Sequence, residues 1–528
     1  MKKKKIKITG KTEVPPWGRM LITIALLAIS AIFLAQKIDM TSADLGRHLM
    51  NGRIFFEHLS PVTTNYYSFT EKNIPVVNHH WGSGVIYFII YKLLGFTGLS
   101  LFNILLFTAA VFLFFRRAIL SSDFATSLFL TLSILPILAT RAEVRPEIIS
   151  FLFTGITFSI LEKYREGKIA FRSTWLLPFL MLCWVNLHIF FVMGLIIQGV
   201  YLADGFLRRD PKKIKNYGVL LLASLLLCLL NPSGLWGVVE PFRIFREYGY
   251  RISENQSLFF MQHMFPGTIL YIYFEILAVL SIVVVLLRMI KSRQILLPDA
   301  PGVGLLLLFT AFAAGMIRVM PLFGFFFIPV MAGSIQKLLE KYASPVFRLN
   351  TRRTFLVMSL LLVLFFLFSN TYPFSAVSSR TGLGWDKTAD GSAVFFKNNR
   401  LKGPVFNNYD IGGYLIFNLF PEEHVFVDNR PEAYTVSFFK NIYEPMQSSE
   451  EKWKEMDRKY HFNVIFFNRL DYTTYAQPFL FRRISDPDWA PVFVDDHTII
   501  LVKNNSQNEA LIRQFALPSS MFGVEKTR

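Results

Sequence analysis

Residues 37–82 read KIDMTSADLGRHLMNGRIFFEHLSPVTTNYYSFTEKNIPVVNHHWG, a polar insert bearing His and Asn between two strongly apolar segments. Read as a helix from Ser42, it places Asp44, His48 and Asn51 at i, i+4 and i+7 with Arg47 beside them. Leu45, Leu49 and Phe56 fall on another face. This division predicts a helix lying along a membrane surface, apolar face in the lipid boundary and polar face turned to whatever it serves. A simpler alternative is a surface helix whose Asp44 caps its own first turn. The other segments must decide between the two.

Apolarity runs through most of the chain. Its 528 residues are 53% hydrophobic, 16% aromatic and only 17% charged, with mean hydropathy +0.40. Carried in long blocks, that composition identifies an integral membrane protein. The excess of 55 Lys+Arg over 37 Asp+Glu gives +18, a charge that could suggest nucleic acid. The cations, however, sit in short clusters beside apolar blocks, where they act as topology signals, so no nucleic-acid partner is expected. Cys183 and Cys228 both lie inside apolar segments, which implies no disulfide framework and no metal motif. No internal repeat of fixed period is evident.

Each apolar block of roughly 15–23 residues is a spanning candidate, since about 20 residues cross the hydrocarbon layer. The N-terminal MKKKKIKITGK and the run 20–35, with no small-x-small cleavage site, read as a retained first helix with its lysines in the cytoplasm. The piece 84–94, followed by Gly95, predicts a half-helix on the outer side. Further spans are expected at about 98–115, 124–139, 147–161 and 175–185. A sixth descends to Arg208 and Arg209, and a seventh covers about 219–230. An outer loop, 235–266, carries Glu240, Arg243, Arg246 and Arg251. The eighth span descends to Arg288, Lys291 and Arg293, the ninth covers about 302–316, the tenth reaches Lys337 and Lys341, and the eleventh covers about 355–368. Basic clusters fall at every predicted inner turn, which predicts a cytoplasmic N-terminus and an outer C-terminus.

The expected fold is therefore a polytopic α-helical membrane protein of about eleven spans over residues 1–370. A C-terminal extracytoplasmic α/β domain follows over residues 371–528. In this tail, strands are predicted at 404–406, 424–427, 463–467, 490–494 and 498–502, and a helix at 448–459. DDHT, residues 495–498, reads as a hairpin turn. A two-layered or a three-layered arrangement fits. NNYDIGGYL (407–415) and VDNRPEAY (427–434) put Asp410, Asp428 and Arg430 at or just beyond strand ends. There they could build a site, or Arg430 could simply pair with Asp428.

Polar groups are distributed unevenly between the two faces. The predicted outer ends carry Arg141, Glu143 and Arg145, Asn186 and His188, Asn231, Arg318, and His79 with His80. Ionisable residues at membrane depth are costly and are usually kept for function or mutual pairing. The inner ends carry mostly plain Lys/Arg clusters, so a cavity opening at the outer leaflet is expected.

An outward first helix, a first outer loop with Asp44 in SADLGRHLMNGRIFFEH, the segments VNHHWGSGVIYFIIYKLLGFTGL, TRAEVRPE, WVNLH and LLNPSG, many spans and an outer C-terminal domain resemble the GT-C superfamily of membrane glycosyltransferases. The likeness is to its protein-mannosyltransferase and aminoarabinose-transferase branch and their uncharacterised bacterial relatives, and it covers about the first 340 residues. Here a lone Asp44 stands where an acidic pair is common, and neither a Glu-Lys-Pro-Pro segment nor a Trp-Trp-Asp signature is present. The resemblance implies an enzyme of a bacterial inner membrane. It would take a sugar from a polyprenyl-phosphate donor in the outer leaflet and pass it to a hydroxyl on lipid, glycan or protein.

In such chemistry a carboxylate near the water interface acts as general base on the acceptor hydroxyl, the role assigned to Asp44. The departing lipid phosphate needs cations, for which Arg141, Arg145 and Arg318 are candidates. His80 and His188 are additional donors, and His48, His79, Glu143 and Asn186 complete the expected substrate-binding set. Arg318 ends an otherwise apolar span with no acid nearby in sequence. His79 and His80 also fit as interfacial residues capping the half-helix. Asp44, His79, His80 and Glu143 could hold a divalent cation, but no ligand spacing is diagnostic and metal use is left open. Two other classes compete: a transporter or lipid flippase, whose polar groups would gather near the midplane, and a non-catalytic envelope assembly protein.

Overall fold

The computed structural model describes residues 14–41, 44–243, 248–294, 297–387 and 390–523. The N-terminal lysines, Ser42 and Arg246 lie outside the described residues. Helices stand wherever a span is expected. They are α1 (Pro16–Leu34), α3 (Trp81–Ser121), α4 (Phe124–Leu138), α5 (Glu147–Arg165), α6 (Leu176–Leu187), α7 (Phe191–Leu207), α8 (Pro211–Cys228), α11 (Ile269–Ser292), α12 (Ala300–Gly315), α13 (Met320–Tyr342) and α14 (Pro345–Phe368). Between them lie α2 (Leu45–His58), α9 (Gly234–Val239) and α10 (Leu258–Met264). Among the described residues six helices are long and apolar enough to cross a membrane, and α7 and α12 are shorter apolar helices. The 12-residue α6 reaches only ~18 Å at 1.5 Å per residue. The half-helix expected at 84–94 is present: α3 is broken at Gly95 (φ 65, ψ −163), a conformation that favours glycine.

The chain divides into two compact units. Unit 1 comprises residues 1–34, 107–142 and 257–379, and unit 2 residues 35–106, 143–256 and 380–528. The first outer insert thus folds with the C-terminal segment, and residues 371–379 group with the helices of unit 1.

In unit 1, α13 is almost wholly buried, with Phe323, Phe325 and Phe326 all at 0% exposure. It runs antiparallel to α4: a Cβ on Gly324 would meet Leu138 at 2.7 Å, and one on Gly333 would meet Ser121 at 3.3 Å.

In unit 2 the sheet has four strands in the order β1-β2-β4-β3: β1 (Val405–Asn407), β2 (Val464–Asn468), β3 (Trp489–Val494) and β4 (Thr498–Lys503). β1 pairs parallel with β2, Val405 opposite Val464. β4 runs antiparallel to β2 and β3. The predicted DDHT turn joins β3 to β4, and Asp495 Oδ1 accepts from the backbone N–H of His497 (2.9 Å) and Thr498 (2.7 Å). The strand expected at 424–427 does not form. Val425 makes only an isolated bridge to Ser68, and this segment is held by side chains, Phe426 N–H donating to Asn407 Oδ1 at 2.9 Å.

Strand alternation gives the sheet two buried faces, which makes it three-layered. Phe406, Ile465, Phe467, Ile499 and Leu501 face a core with Trp453, Met456 and Phe479. Val405, Val464, Phe466, Ile500 and Val502 face the other, with α15 (Gly391–Asn398) and α16 (Gly412–Leu419). That second core continues into Leu45, Leu49, Met50 and Ile54 of α2. The surface-lying helix expected from residues 42–58 is therefore corrected. Leu45 and Leu49 of its apolar face pack on protein, Phe56 stays exposed, and Arg47, His48 and Asn51 are buried as well.

Two glycines explain how α2 comes so close to its neighbours. A Cβ on Gly46 would collide with the Gly413 carbonyl oxygen of α16, and one on Gly52 with the Gly84 carbonyl oxygen of α3. Backbone cannot step aside as a side chain can. Gly46→Val is expected to cost about 3 kcal/mol or more, read as loss of monodisperse protein after detergent extraction. Gly218→Ala, a position with nothing within 4 Å, is the neutral control.

Candidate functional site

Asp44 occupies the N-cap position of α2 but makes no capping hydrogen bond with its side chain. The capping alternative therefore fails. Its carboxylate, 31% exposed, lies 3.7 Å from Arg47 Nη2. Arg47 is buried, and its other polar contact among the described residues is Nε to Asn429 Oδ1 at 3.5 Å, the outer limit of a hydrogen bond. Five donors held by two long contacts leave this guanidinium with donors to spare.

Behind Arg47 stand three imidazoles in a row. The rings of His48 and His80 are 5.2 Å apart, and those of His80 and His188 5.1 Å apart. Trp184 Nε1 donates to Ser150 Oγ (2.7 Å), and Ser150 Oγ lies 2.8 Å from His188 Nδ1. Phe190 N–H also points at Nδ1 (3.3 Å). Two donors on one nitrogen make Nδ1 the acceptor and put the His188 proton on Nε2. Burial holds His48 well below the usual imidazole value, reinforced by the charges of Arg47, His188 and Arg145. His80 is lowered the same way, by burial first and then by its histidine neighbours and Arg47. Both are neutral at physiological pH. His79 turns instead toward Phe191, 6.3 Å between rings, and burial lowers it to about 4. His48 Nδ1 and His79 Nε2 are buried without a hydrogen-bond partner among the described residues.

Arg145 is engaged quite differently from Arg47. Its Nε lies 2.6 Å from Glu143 and its Nη1 2.6 Å from Glu254. Two carboxylates already neutralise it. Asn186 spends its amide on structure: Oδ1 accepts from Trp81 Nε1 (2.9 Å), and Nδ2 donates to the carbonyls of Leu182 and Leu230. These bonds staple α6 to the start of α3. Arg141 and Arg318 belong to unit 1. Each sits in a short turn, Ala139–Arg141 and Ile317–Val319, at the end of the α4–α13 pair marked by Leu138 and Gly324.

The C-terminal segment contributes groups that the sequence left ambiguous. Beyond the carboxyl ends of the parallel strands β1 and β2 come Asp410 and Asp471. Asn408 locks the two ends together, donating to Asp471 Oδ2 (2.9 Å) and accepting from Asn468 N–H (2.8 Å). Asn468 Nδ2 in turn donates to the carbonyl of Thr41 (3.2 Å), just ahead of Asp44. Burial, with the charges of Asp471, Asp44 and Glu254 close by, pushes Asp410 up to about 7. Tyr250 stacks on neighbouring Tyr409 at 4.0 Å. Asp428 and Arg430 take the structural role, a buried pair with Nε–Oδ1 2.8 Å and Nη2–Oδ2 2.7 Å.

The raised Asp410 has a consequence for stability. Between roughly pH 4, where an unfolded Asp ionises, and about 7, the folded chain keeps a proton that the unfolded chain has released. Stability therefore falls as pH rises through that window. Asp410→Asn is expected to melt higher than the parent at about pH 8 and equally at about pH 4, measured by thermal unfolding in detergent. An equal difference at both values would show that the carboxyl is not raised.

Among the described residues no group of three or more His, Cys, Asp or Glu side chains is placed to hold a metal ion. The set named for a divalent cation is not assembled: Glu143 lies on Arg145, His79 faces Phe191, and Asp44 faces Arg47. Sequence reading set Arg47 beside Asp44 without giving it a role, and passed over Glu254. Arg47 carried a signal, since it sits three residues after Asp44, within reach across one helical turn. Glu254, in the short 3-10 turn Ser253–Asn255, carried none.

No family model and no curated protein matches the chain. Solved structures do. An oligosaccharyltransferase from Archaeoglobus fulgidus, crystallised tethered to an acceptor peptide, aligns with TM-score 0.63 at 10% identity, over 93% of this chain and 75% of its own. ArnT from Cupriavidus metallidurans, bound to undecaprenyl phosphate, aligns with TM-score 0.53 at 11% identity, over 93% and 99%. The mycobacterial arabinofuranosyltransferase AftD aligns with TM-score 0.52 at 12% identity, over 92% and 40%. A multi-pass membrane protein by its apolar helices and by this likeness, the chain has the fold of the GT-C membrane glycosyltransferases.

Proposed function

We propose that the chain is a membrane glycosyltransferase that moves a sugar from a polyprenyl-phosphate donor to a hydroxyl acceptor on lipid, glycan or protein. The observation that carries this reading is the Asp44 carboxylate, released from capping and set beside a buried guanidinium with donors to spare. Asp44 takes the acceptor proton as the hydroxyl oxygen attacks the anomeric carbon. The bond from that carbon to the phosphate oxygen breaks, and the electron pair leaves with the polyprenyl phosphate. Arg47 and the unpartnered His48 Nδ1 meet the charge developing on that oxygen. Arg145, already paired with two carboxylates, ties the segment carrying Glu254 to Glu143.

The ligands of the structural neighbours support the donor class: an undecaprenyl phosphate in ArnT, and a dolichol-phosphate beside an inhibitory peptide in the archaeal AglB. Residues 1–370 form the spanning part of this reading and residues 371–528 its outer part, in a bacterial inner membrane with the N-terminus inside. The test is release of polyprenyl phosphate from a labelled polyprenyl-phosphate sugar by membranes containing the protein. Failure to release with any sugar or acceptor extract, in protein that binds the donor, would overturn it.

A further inference from the structure

A second polar centre lies in unit 1, between the ends of α11 and α13. It is a cavity of about 110 Å³ whose lining includes Arg288, Lys291, Lys337, Lys341, Leu297 and Tyr342, and no acid. Arg288, 3% exposed, bonds Asp299 through both terminal nitrogens and Ser334 Oγ at 3.1 Å. Lys337 stands 3.6 Å from the same carboxylate. Asp299 therefore serves two of the four cations.

The other two, both exposed, lie against one aromatic ring. Lys291 Nζ and Lys341 Nζ lie 5.4 and 5.5 Å from the centre of the Tyr342 ring. Lys341 Nζ and the Tyr342 hydroxyl both donate to the Lys291 carbonyl, at 2.7 and 3.0 Å, which fixes the two helix ends against each other. Gathering like charges is unfavourable unless an anion sits among them. Nothing in plain topology signalling requires a concave arrangement, since lysines that only set orientation can splay into water. Next to the cavity, α11 exposes Leu287 (44%) and Ile290 (69%), an apolar surface suited to acyl chains. Basic pockets between spanning helices are the sites where anionic headgroups bind.

We propose that this cavity binds the phosphate group of an anionic ligand at the membrane surface, supplied by a phospholipid headgroup or by free phosphate. Lys291, Lys337 and Lys341 contact the phosphate, Arg288 supplies fixed field from behind, and Leu297 and Tyr342 form the apolar wall. The site is independent of sugar transfer.

The test uses the full-length protein in phosphatidylcholine nanodiscs, titrated separately with short-chain phosphatidylglycerol, short-chain phosphatidylcholine and inorganic phosphate, and read by native mass spectrometry. The parent is expected to retain phosphatidylglycerol over phosphatidylcholine. Lys291→Gln/Lys337→Gln should weaken it roughly 30-fold, two surface cations' worth, and Lys291→Arg/Lys337→Arg should keep it. Retention of inorganic phosphate alone, with the same sensitivity, would identify the free ion as the source. Retention of neither anion, or binding unchanged in the Gln variant, would overturn the proposal. If the Gln variant does not fold, binding by the parent that is indifferent to raised salt would overturn it equally.

Discussion

Asp44→Asn is expected to lower sugar transfer by about 10²- to 10⁴-fold, the range for losing a positioned general base, while the protein still folds, inserts and binds donor. The substitution is nearly isosteric, and Asp44 makes no capping hydrogen bond whose loss would loosen α2. Among the described residues its ion pair is the long one to Arg47, partly exposed and hence of little weight for stability. The amide cannot accept the proton, so kcat falls, whereas donor affinity, which rests on cations, holds. Single-turnover transfer together with donor binding separates the two. Transfer within a few-fold of the parent would remove Asp44 from the chemistry.

Arg430→Ala is expected to cost about 3–5 kcal/mol, because it strands a buried charge. Asp428 is 0% exposed and receives Arg430 Nε, Nη2 and backbone N–H, with Tyr434 OH at 3.2 Å. Arg430 Nη2 also donates to Asn65 Oδ1 (3.0 Å), and the guanidinium lies over the Tyr67 ring, 5.3 Å to its centre. Tyr67 OH donates to Asn51 on α2 (2.5 Å). Removing the cation therefore frees both the C-terminal core and the polar face of α2. The double change Asp428→Asn/Arg430→Met leaves no orphan charge and should recover much of the loss. Chemical unfolding followed by Trp fluorescence reads it, and a double variant as unstable as Arg430→Ala would show that the pair's charge is not the cause.

The sequence exposed those features that follow from chain-local chemistry. The apolar blocks, the break at Gly95, the Asp495 turn and the β2–β4 strands were legible because each rests on neighbours in sequence. The histidine row was half legible. His80 and His188 showed as polar groups at apolar ends, but their alignment with His48 depends on three separate elements. The burial of α2 was not legible, because Leu45 and Leu49 look the same whether they meet lipid or Leu415 of α16. Nor could sequence separate Arg47 from Arg145 by freedom, since the second is quenched by Glu254, more than a hundred residues away.

The glycine contacts that seat α2 between Gly413 and Gly84 carry a consequence for how this protein can diversify. With main chain touching main chain on both sides, the helix bearing Asp44 and Arg47 has no slack through which remote substitutions could re-aim it. Under the proposed function, new acceptors would have to be accommodated by remodelling the loops around the rim, with the Asp44 carboxylate keeping one fixed bearing.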